Sequence, residues 1–257
     1  MKIAFVGKGG SGKTTASSLF AQYVAEKDCQ VLAIDADINM HMAELLGGVS
    51  SSENMRISEK SPSDAIRTHL RGDNKRIASN GHFKKSTPPG KGSKLINVKD
   101  ADDWFIKTYS QLLNDRLRLV TVGSYAEDGI ASICYHNNLS IIENILTHTT
   151  DDGVIVCDMV AGTDAFANTL FAQFDILIFV VEPTQRSVSV YDQYVSLARH
   201  AGIEDRLFVV ANKIENDDDY SFVKNHVHAN VLLGTISRSK HLLDVDKGRD
   251  LLSVANL

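Results

Sequence analysis

Seven apolar, largely β-branched segments recur along the chain, and their spacing constrains the fold more than any other feature. Continuous apolar runs, unlike alternating ones, are typical of strands buried on both faces. Most of these runs precede a stretch of helical periodicity, a pattern that predicts parallel strands joined by right-handed crossovers. The sequence therefore predicts an α/β fold with a doubly wound, mostly parallel sheet. The runs are KIAFV, QVLAID, LRLVTV, GVIVCD, DILIFVV, RLFVVA and VLLGTI, and the predicted helices include residues 13–27, 138–148, 188–201 and 239–245.

The chain length and one polar segment decide the expected domain organisation. With 257 residues, of which 43% are hydrophobic, the chain is expected to form a single domain over residues 1–257. Residues 49–103 interrupt the alternation with polar and turn-forming residues and are interpreted as an insertion. Within residues 71–99, eight Lys or Arg face one acidic residue, Asp73. This segment of net charge +7 is interpreted as a solvated surface loop, with a site for an anionic partner such as DNA as the alternative.

Charge and cysteine usage limit the expected environment of the protein. A net charge of −5 and an isoelectric point near 6.0 argue against a surface that binds polyanions as a whole. Cys29, Cys134 and Cys157 are few and far apart, which is typical of a reducing compartment. A strand-like run begins at the second residue, so no signal peptide is expected, and no apolar run approaches the roughly 18 residues of a membrane span. We expect a cytoplasmic protein without membrane attachment.

The stretch GKGGSGKTT follows the first strand and opens the first helix. Glycines at this point let backbone N–H groups converge on phosphate oxygens, and the helix directs its positive end at the same charge. We expect Lys13 to reach the β- and γ-phosphates and the hydroxyl of Thr14 to bind Mg²⁺. The residues expected to contact the nucleotide are Gly7, Lys8, Gly9, Gly10, Ser11, Gly12, Lys13, Thr14 and Thr15.

The first lysine of this loop, Lys8, is not explained by one subunit, because Lys13 already neutralises the phosphates from its own side. GKGGSGKTT resembles the deviant phosphate loop (deviant Walker A motif) of the P-loop ATPases that include MinD, ParA, the nitrogenase iron protein and the CooC-type maturation ATPases of carbon monoxide dehydrogenase. This resemblance implies an ATP-dependent homodimer in which Lys8 reaches the partner's phosphates and acts in catalysis with Lys13. The logic is that of an arginine finger, a cation supplied from outside.

Carboxylates follow two further predicted strands, at the edge where open α/β sheets bind ligands. The run DADINMHMAELLG resembles the first switch of these ATPases, which implies that Asp37 positions or activates the attacking water and that Asp35 supports it or faces the metal. The run GVIVCDMVAG is interpreted as Walker B and second switch. Asp158 would then hold Mg²⁺, and the N–H of Gly162 would sense the γ-phosphate.

The base pocket is expected after the run RLFVVA, where Asn212 and Lys213 resemble the adenine-binding position of the family. The sequence NKIE, however, differs by one methylene from the NKxD guanine-binding motif of GTPases. Glu215 therefore keeps GTP open as an alternative, although the resemblance favours ATP.

Three local matches point to the CooC-like branch: residues 180–203, the run ANKIE, and LGTISRSKHLLDVDKGRDL near the end. That branch typically carries a CxC pair, which two subunits can share around a metal ion. Here Ser132 replaces the first cysteine and only Cys134 is present, so a four-thiolate site is not expected. Cys134 with His136 could form an S₂N₂ transition-metal site across a dimer. The alternative is that Cys134 is a small buried apolar residue.

Three functions remain open at this point. The leading hypothesis is an ATPase switch that dimerises and whose hydrolysis drives maturation of a metal centre or remodelling of another client protein. The second is a ParA- or MinD-type positioning ATPase; the ParA version would bind DNA through residues 71–99. Membrane attachment of the MinD kind is not expected, because RDLLSVANL carries one basic residue. The third is the ATP-activating domain of a cobyrinate amidase or dethiobiotin-type ligase.

Overall fold

A computed structural model describes residues 1–84, 87–124, 139–150, 152–166 and 169–256. The strands are β1 (Lys2–Val6), β2 (Val31–Ala36), β3 (Gln111–Asn114), β4 (Leu117–Thr121), β5 (Val154–Met159), β6 (Ile176–Val181), β7 (Leu207–Ile214) and β8 (Leu232–Ser237). The helices are α1 (Lys13–Glu26), α2 (Met42–Leu45), α3 (Lys60–Arg71), α4 (Trp104–Tyr109), α5 (Leu139–Thr147), α6 (Gln185–His200), α7 (Asp217–His226) and α8 (Lys240–Asp246).

The eight described strands form one sheet in the order β3-β4-β2-β5-β1-β6-β7-β8. All neighbouring pairs are parallel except β3 and β4, which pair antiparallel at one edge. This arrangement confirms the predicted doubly wound, mostly parallel sheet. The sequence prediction missed β3, because QLLN is short and only its alternate residues are partly covered, as is usual for an edge strand.

Alternate residues of the central strands supply two apolar cores, one on each face of the sheet. Ile3 and Phe5 of β1 pack with α1 and α2 on one face, while Ala4 and Val6 join the core formed with α3, α4, α5 and α6 on the other. Such strands must be apolar throughout, which is why the continuous runs in the sequence predicted them correctly. Among the described residues, no helix combines the length and the apolar character that a bilayer crossing requires.

Residues 49–103, interpreted as an insertion, contribute to the main core, and the interpretation of residues 71–99 as a solvated surface loop fails for the apolar residues of that segment that lie in this core. Before that segment lies α3, whose Ile66 and Leu70 are completely buried against the main core. These residues lie four apart and so face the same side of the helix. The mostly polar composition obscured this short apolar face in the sequence. The segment's residues in the main core are Ile57, Ile66, Leu70, Ile77, Phe83, Ile96 and Val98.

The burial of α3 predicts a large effect of a single truncation. Ile66→Ala is expected to lower the free energy of unfolding by about 3 kcal/mol, because it removes buried methylenes and leaves a cavity. Urea denaturation of the purified protein measures this change. Val49→Ala, a truncation at an exposed position of the same segment, is the control and should change stability by less than about 0.5 kcal/mol. Equal effects of the two variants would contradict the packing described here.

Candidate functional site

The loops at the carboxyl ends of the central parallel strands surround a cavity of about 680 Å³. The loop after β1, the segment 37–45 after β2, the last residues of β7 and the segment after β8 all line it. Ligands of open α/β sheets bind at this edge, next to the strand where the connections reverse direction. Strand β1 lies between β5 and β6 in the sheet, so the loop after it is at the centre of the site.

Two glycines of the phosphate loop, residues 7–15, are required by close contacts. At Gly7 (φ 145°) a Cβ atom would lie 2.6 Å from the carbonyl oxygen of Val180, and at Gly12 (φ 89°) it would lie 2.1 Å from Nδ2 of Asn212. The loop closes on itself where the N–H of Ser11 donates to the oxygen of Lys8 at 3.1 Å. Helix α1 then begins at Lys13, so its positive end points into the cavity.

Lys13 is a buried cation at the floor of the cavity. Its residue is 5% exposed, and its ammonium donates to the carbonyl oxygen of Lys8 at 3.3 Å. Burial lowers the pKa of Lys13, while the negative charges of Asp158 and Asp37 act in the opposite direction. A buried cation whose solvation is incomplete is suited to bind the phosphates of a nucleotide, which would replace the lost water.

Thr14 and Asp158, the two residues predicted to hold Mg²⁺, are in direct contact. The hydroxyl of Thr14 donates to Oδ2 of Asp158 at 2.6 Å, and Oδ1 of the fully buried Asp158 has no hydrogen-bond partner. Burial and the neighbouring charge of Asp35 raise the pKa of Asp158 to about 8, although Thr14 and Lys13 act against the rise.

This pair fits a magnesium ion. A hydroxyl and a carboxylate are hard oxygen donors, and the unpartnered Oδ1 of Asp158 is a buried polar atom that a cation would satisfy. The described residues contain no group of three or more His, Cys, Asp and Glu side chains suited to a metal. Mg²⁺ in nucleotide sites needs only one or two protein ligands, because phosphates and water complete its octahedron.

The two aspartates after β2 have different surroundings. Asp35 is completely buried; Oδ2 accepts from the N–H of Met42 at 2.9 Å and Oδ1 from the N–H of Asp37 at 3.3 Å. Burial, with a contribution from the charge of Asp37, raises the pKa of Asp35 to about 7 despite these backbone bonds. Asp35 therefore fixes the loop, whereas Asp37 lines the cavity with its Oδ1 accepting from the backbone and side chain of Asn39, both at 2.9 Å.

The loop after β5 is bonded directly to the phosphate loop. The N–H of Gly162, at φ 91°, donates to the carbonyl oxygen of Gly7 at 3.0 Å, and the two residues form an isolated antiparallel bridge. The predicted contact of this N–H with a γ-phosphate would require it to exchange the Gly7 oxygen for the phosphate.

The sequence analysis placed Asn212 and Lys213 after the strand, but in the structure both lie within β7. A shift in register between Asn212 and Ile214 marks a bulge, at which Lys213 adopts a left-handed conformation with φ 61°. Nδ2 of Asn212 donates to the oxygen of Ser11 at 2.8 Å, and the ammonium of Lys213 donates to the oxygen of Gly10 at 2.5 Å. Both residues therefore brace the phosphate loop at the cavity wall.

Lys8 contacts a residue that the sequence analysis did not single out. Glu182 directly follows β6 and is buried; Oε1 accepts from Lys8 at 2.9 Å and Oε2 from Lys213 at 3.2 Å. Burial would raise the pKa of Glu182, but its hydrogen bonds to the two lysines outweigh burial and lower it. The signal in the sequence was a single carboxylate directly after the apolar run ILIFVV.

The remaining wall of the cavity comes from β8 and the segment after it, which the sequence analysis matched to the family without assigning residues. Ser237, Arg238, Leu242 and Leu251 line it. Arg238 also donates to Oε1 of Glu215, the residue that had kept GTP open, at 2.6 Å. Arg238 thus engages one oxygen of the Glu215 carboxylate, the group that would have to accept hydrogen bonds from a guanine base.

The cysteines do not add a described metal site. Cys157 is completely buried in β5, and burial raises the pKa of its thiol; Cys29 is half-buried. Ser132, Cys134 and His136 lie outside the described residues.

Comparison with known proteins identifies the family. The model of the CobQ/CobB/MinD/ParA nucleotide binding domain matches residues 3–251. The chain belongs to this family. Among its relatives is the carbon monoxide dehydrogenase accessory protein CooC of Rhodospirillum rubrum, 27% identical over 241 residues that span 92% of this chain and 83% of the relative. An uncharacterized ATP-binding protein of Methanocaldococcus jannaschii is 26% identical over 220 residues, which span 85% of this chain and 77% of the relative.

Solved structures of the MinD/ParA family share the fold. A ParA family ATPase from Chlorobium tepidum superposes with a TM-score of 0.66 at 17% identity, covering 99% of this chain and 92% of the other. The cell division ATPase MinD of Pyrococcus furiosus gives 0.59 at 14% identity, covering 96% and 87%. The predicted family and the predicted P-loop fold are thus confirmed.

Proposed function

We propose that this protein is a Mg²⁺-dependent ATPase switch: two copies close over two ATP molecules, each supplies Lys8 to the other, and hydrolysis separates them. The observation that carries the proposal is the placement of the two lysines of the phosphate loop. Lys13 lines the cavity and is buried, whereas the side chain of Lys8, in the same loop, is 29% exposed. A partly exposed lysine is accessible to a second molecule, while Lys13 serves the phosphates of its own subunit.

The residues of one subunit divide the chemistry among them. Lys13 and the backbone N–H groups at the start of α1 bind the phosphates and stabilise the charge that develops during transfer. Thr14 and Asp158 would hold Mg²⁺, which neutralises β- and γ-phosphate oxygens when bound. Asp37, which lines the cavity with the phosphate loop, would orient the attacking water and accept its proton.

The similarity to CooC supports a role in the maturation of a metal centre on a client protein. It spans 92% of this chain. A metal cargo would need ligands from this chain or from the client, and Cys134 and His136 remain the candidates of this chain.

The experiment that tests the switch compares oligomeric state with ADP and with a non-hydrolysable ATP analogue. The wild type is expected to be a monomer with ADP and a dimer with the analogue by light scattering. Lys8→Ala should remain a monomer with both and hydrolyse ATP about 10³-fold more slowly, because the cation from the partner is lost. Nucleotide affinity of Lys8→Ala, measured by calorimetry, should stay within a few-fold. A dimer that forms equally with both nucleotides and in Lys8→Ala would refute the proposal.

A ParA-type function is the second candidate, and one observation favours it. Most basic residues of the segment 71–99 are exposed, so the positive charge is available to an anionic partner. The exposed ones among the described residues are Lys75, Arg76, Lys84, Lys91, Lys94 and Lys99. Retention of duplex DNA that needs the ATP analogue and falls steeply with salt would favour this candidate.

A further inference from the structure

Lys8 is already engaged in the subunit that carries it. The ammonium of Lys8 lies 2.9 Å from Oε1 of Glu182 and 3.0 Å from the carbonyl oxygen of Gly9. To contact the phosphates of another subunit, Lys8 must leave this carboxylate. The ion pair of Lys8 with Glu182 therefore competes with the contact between Lys8 and the partner's phosphates, on which the proposed switch depends.

Glu182 is held in place independently of Lys8. Its side chain is 12% exposed, and its backbone N–H donates to Oγ of Ser187 at 3.1 Å, in the first turn of α6. Strand β6 lies between β1 and β7, so the carboxylate stands between the loop that carries Lys8 and the bulge that carries Lys213. Because β6 and the first turn of α6 hold its backbone, Glu182 offers Lys8 a hydrogen-bond acceptor in a fixed position.

Lys213 lowers the energetic cost of releasing Lys8 from Glu182. A buried carboxylate that loses its only cation is strongly unfavourable. Oε2 of Glu182 is bound by Lys213 at 3.2 Å, and Lys213 is itself anchored on the oxygen of Gly10. When Lys8 leaves, Glu182 therefore keeps a charge partner.

We propose that Glu182 is a positioning residue that holds Lys8 within its own subunit and releases it when ATP draws a second subunit close. This inference rests on the proposed function, since it concerns the availability of the lysine acting in trans. Glu182 opposes dimer closure, and the phosphates of the partner's nucleotide, which carry more negative charge than one carboxylate, overcome it.

The test measures the protein concentration at which half of the chain is dimeric with the ATP analogue. Glu182→Gln should lower this concentration by about tenfold, because the hydrogen bond that holds Lys8 in each of the two monomers is weakened when its charged acceptor becomes a neutral amide oxygen. Glu204→Gln is the matched control: it removes the same charge from an exposed ion pair with Arg199 and should leave the midpoint unchanged.

A second measurement reports on Lys8 directly in the nucleotide-free monomer. Acetylation of individual lysines, followed by mass spectrometry, should be several-fold faster at Lys8 in Glu182→Gln than in the wild type, since the ammonium is no longer held against a carboxylate and is more accessible to the reagent. Acetylation of Lys27, which is remote from Glu182, should not change. If Glu182→Gln does not fold, Glu182→Asp replaces it, since the shorter carboxylate cannot reach both lysines at their present distances, and an intermediate change in both measurements is expected.

The outcomes separate this inference from the proposed function. If the wild type does not dimerise with the ATP analogue, both the proposed switch and the role of Glu182 are refuted. If the wild type dimerises and Lys8→Ala does not, yet Glu182→Gln has an unchanged or higher midpoint, the switch stands and the role of Glu182 is overturned. Unchanged acetylation of Lys8 in the Glu182 variants overturns it as well.

Discussion

Lys13→Met is expected to reduce ATP affinity by about 100-fold or more, because the charge-assisted bonds of a buried ammonium to the β- and γ-phosphates are lost. The unliganded protein should tolerate the change, with a free energy of unfolding within about 1 kcal/mol of the wild type. The reason is that Lys13 is a desolvated cation whose burial already lowers its pKa, so its removal relieves a cost of folding. Isothermal titration calorimetry measures the affinity, and urea denaturation measures the stability.

The control for this prediction is Lys27→Met at the opposite end of α1, where the lysine is exposed over the ring of Tyr23. It should bind ATP like the wild type. Thermal unfolding gives an independent check: at 100 times the dissociation constant, ATP should stabilise the wild type by about 2.7 kcal/mol and Lys13→Met hardly at all. Wild-type affinity in Lys13→Met would show that the nucleotide does not bind over this loop.

Asp37→Asn is expected to slow ATP hydrolysis by about 10²- to 10⁴-fold while nucleotide binding stays intact. Asparagine keeps an oxygen that can accept from Asn39, so the loop should hold its conformation, but it cannot accept a proton from water. Single-turnover release of phosphate measures the rate. Because hydrolysis ends the dimeric state in the proposed cycle, Asp37→Asn should also form a long-lived dimer with ATP itself.

Asp28→Asn is the matched control, since Asp28 precedes the other end of β2, is exposed and pairs with Arg116. It should hydrolyse ATP at the wild-type rate. If Asp37→Asn hydrolysed ATP equally fast, another group would have to activate the water. If Asp37→Asn lost ATP binding, the role of Asp37 would be to bind the nucleotide and not to activate the attacking water.

The features that could be predicted from the sequence are mostly those set by the residues of one short segment. A strand buried on both faces must be apolar along its length, and a loop around phosphate must contain glycines, so β1 and the phosphate loop could be identified without the structure. Helix α1 starts at Lys13 as expected, and the pair Thr14 and Asp158 lies in contact. The glycines and the start of α1 follow from short stretches of sequence, whereas the contact of Thr14 with Asp158, 144 positions away, was anticipated because two separate motifs were expected to bind the same ion.

The parts that were missed depend on the order of the strands. Glu182 and Lys8 are 174 positions apart, and they meet only because β6 is the neighbour of β1. Lys213 reaches the same carboxylate through a bulge in β7, which the apolar pattern of that strand does not reveal. Helix α3 was missed for a different reason: two buried residues, Ile66 and Leu70, suffice to dock it, and polar residues surround them in the sequence.

The hydrogen bond between Gly162 and Gly7 ties the loop after β5 to the phosphate loop. Strands β1 and β5 are adjacent and in register below it, so neither loop can shift far without moving the other or breaking this bond. A displacement of the loop after β5 would therefore reach the backbone beside Lys8 through a single hydrogen bond.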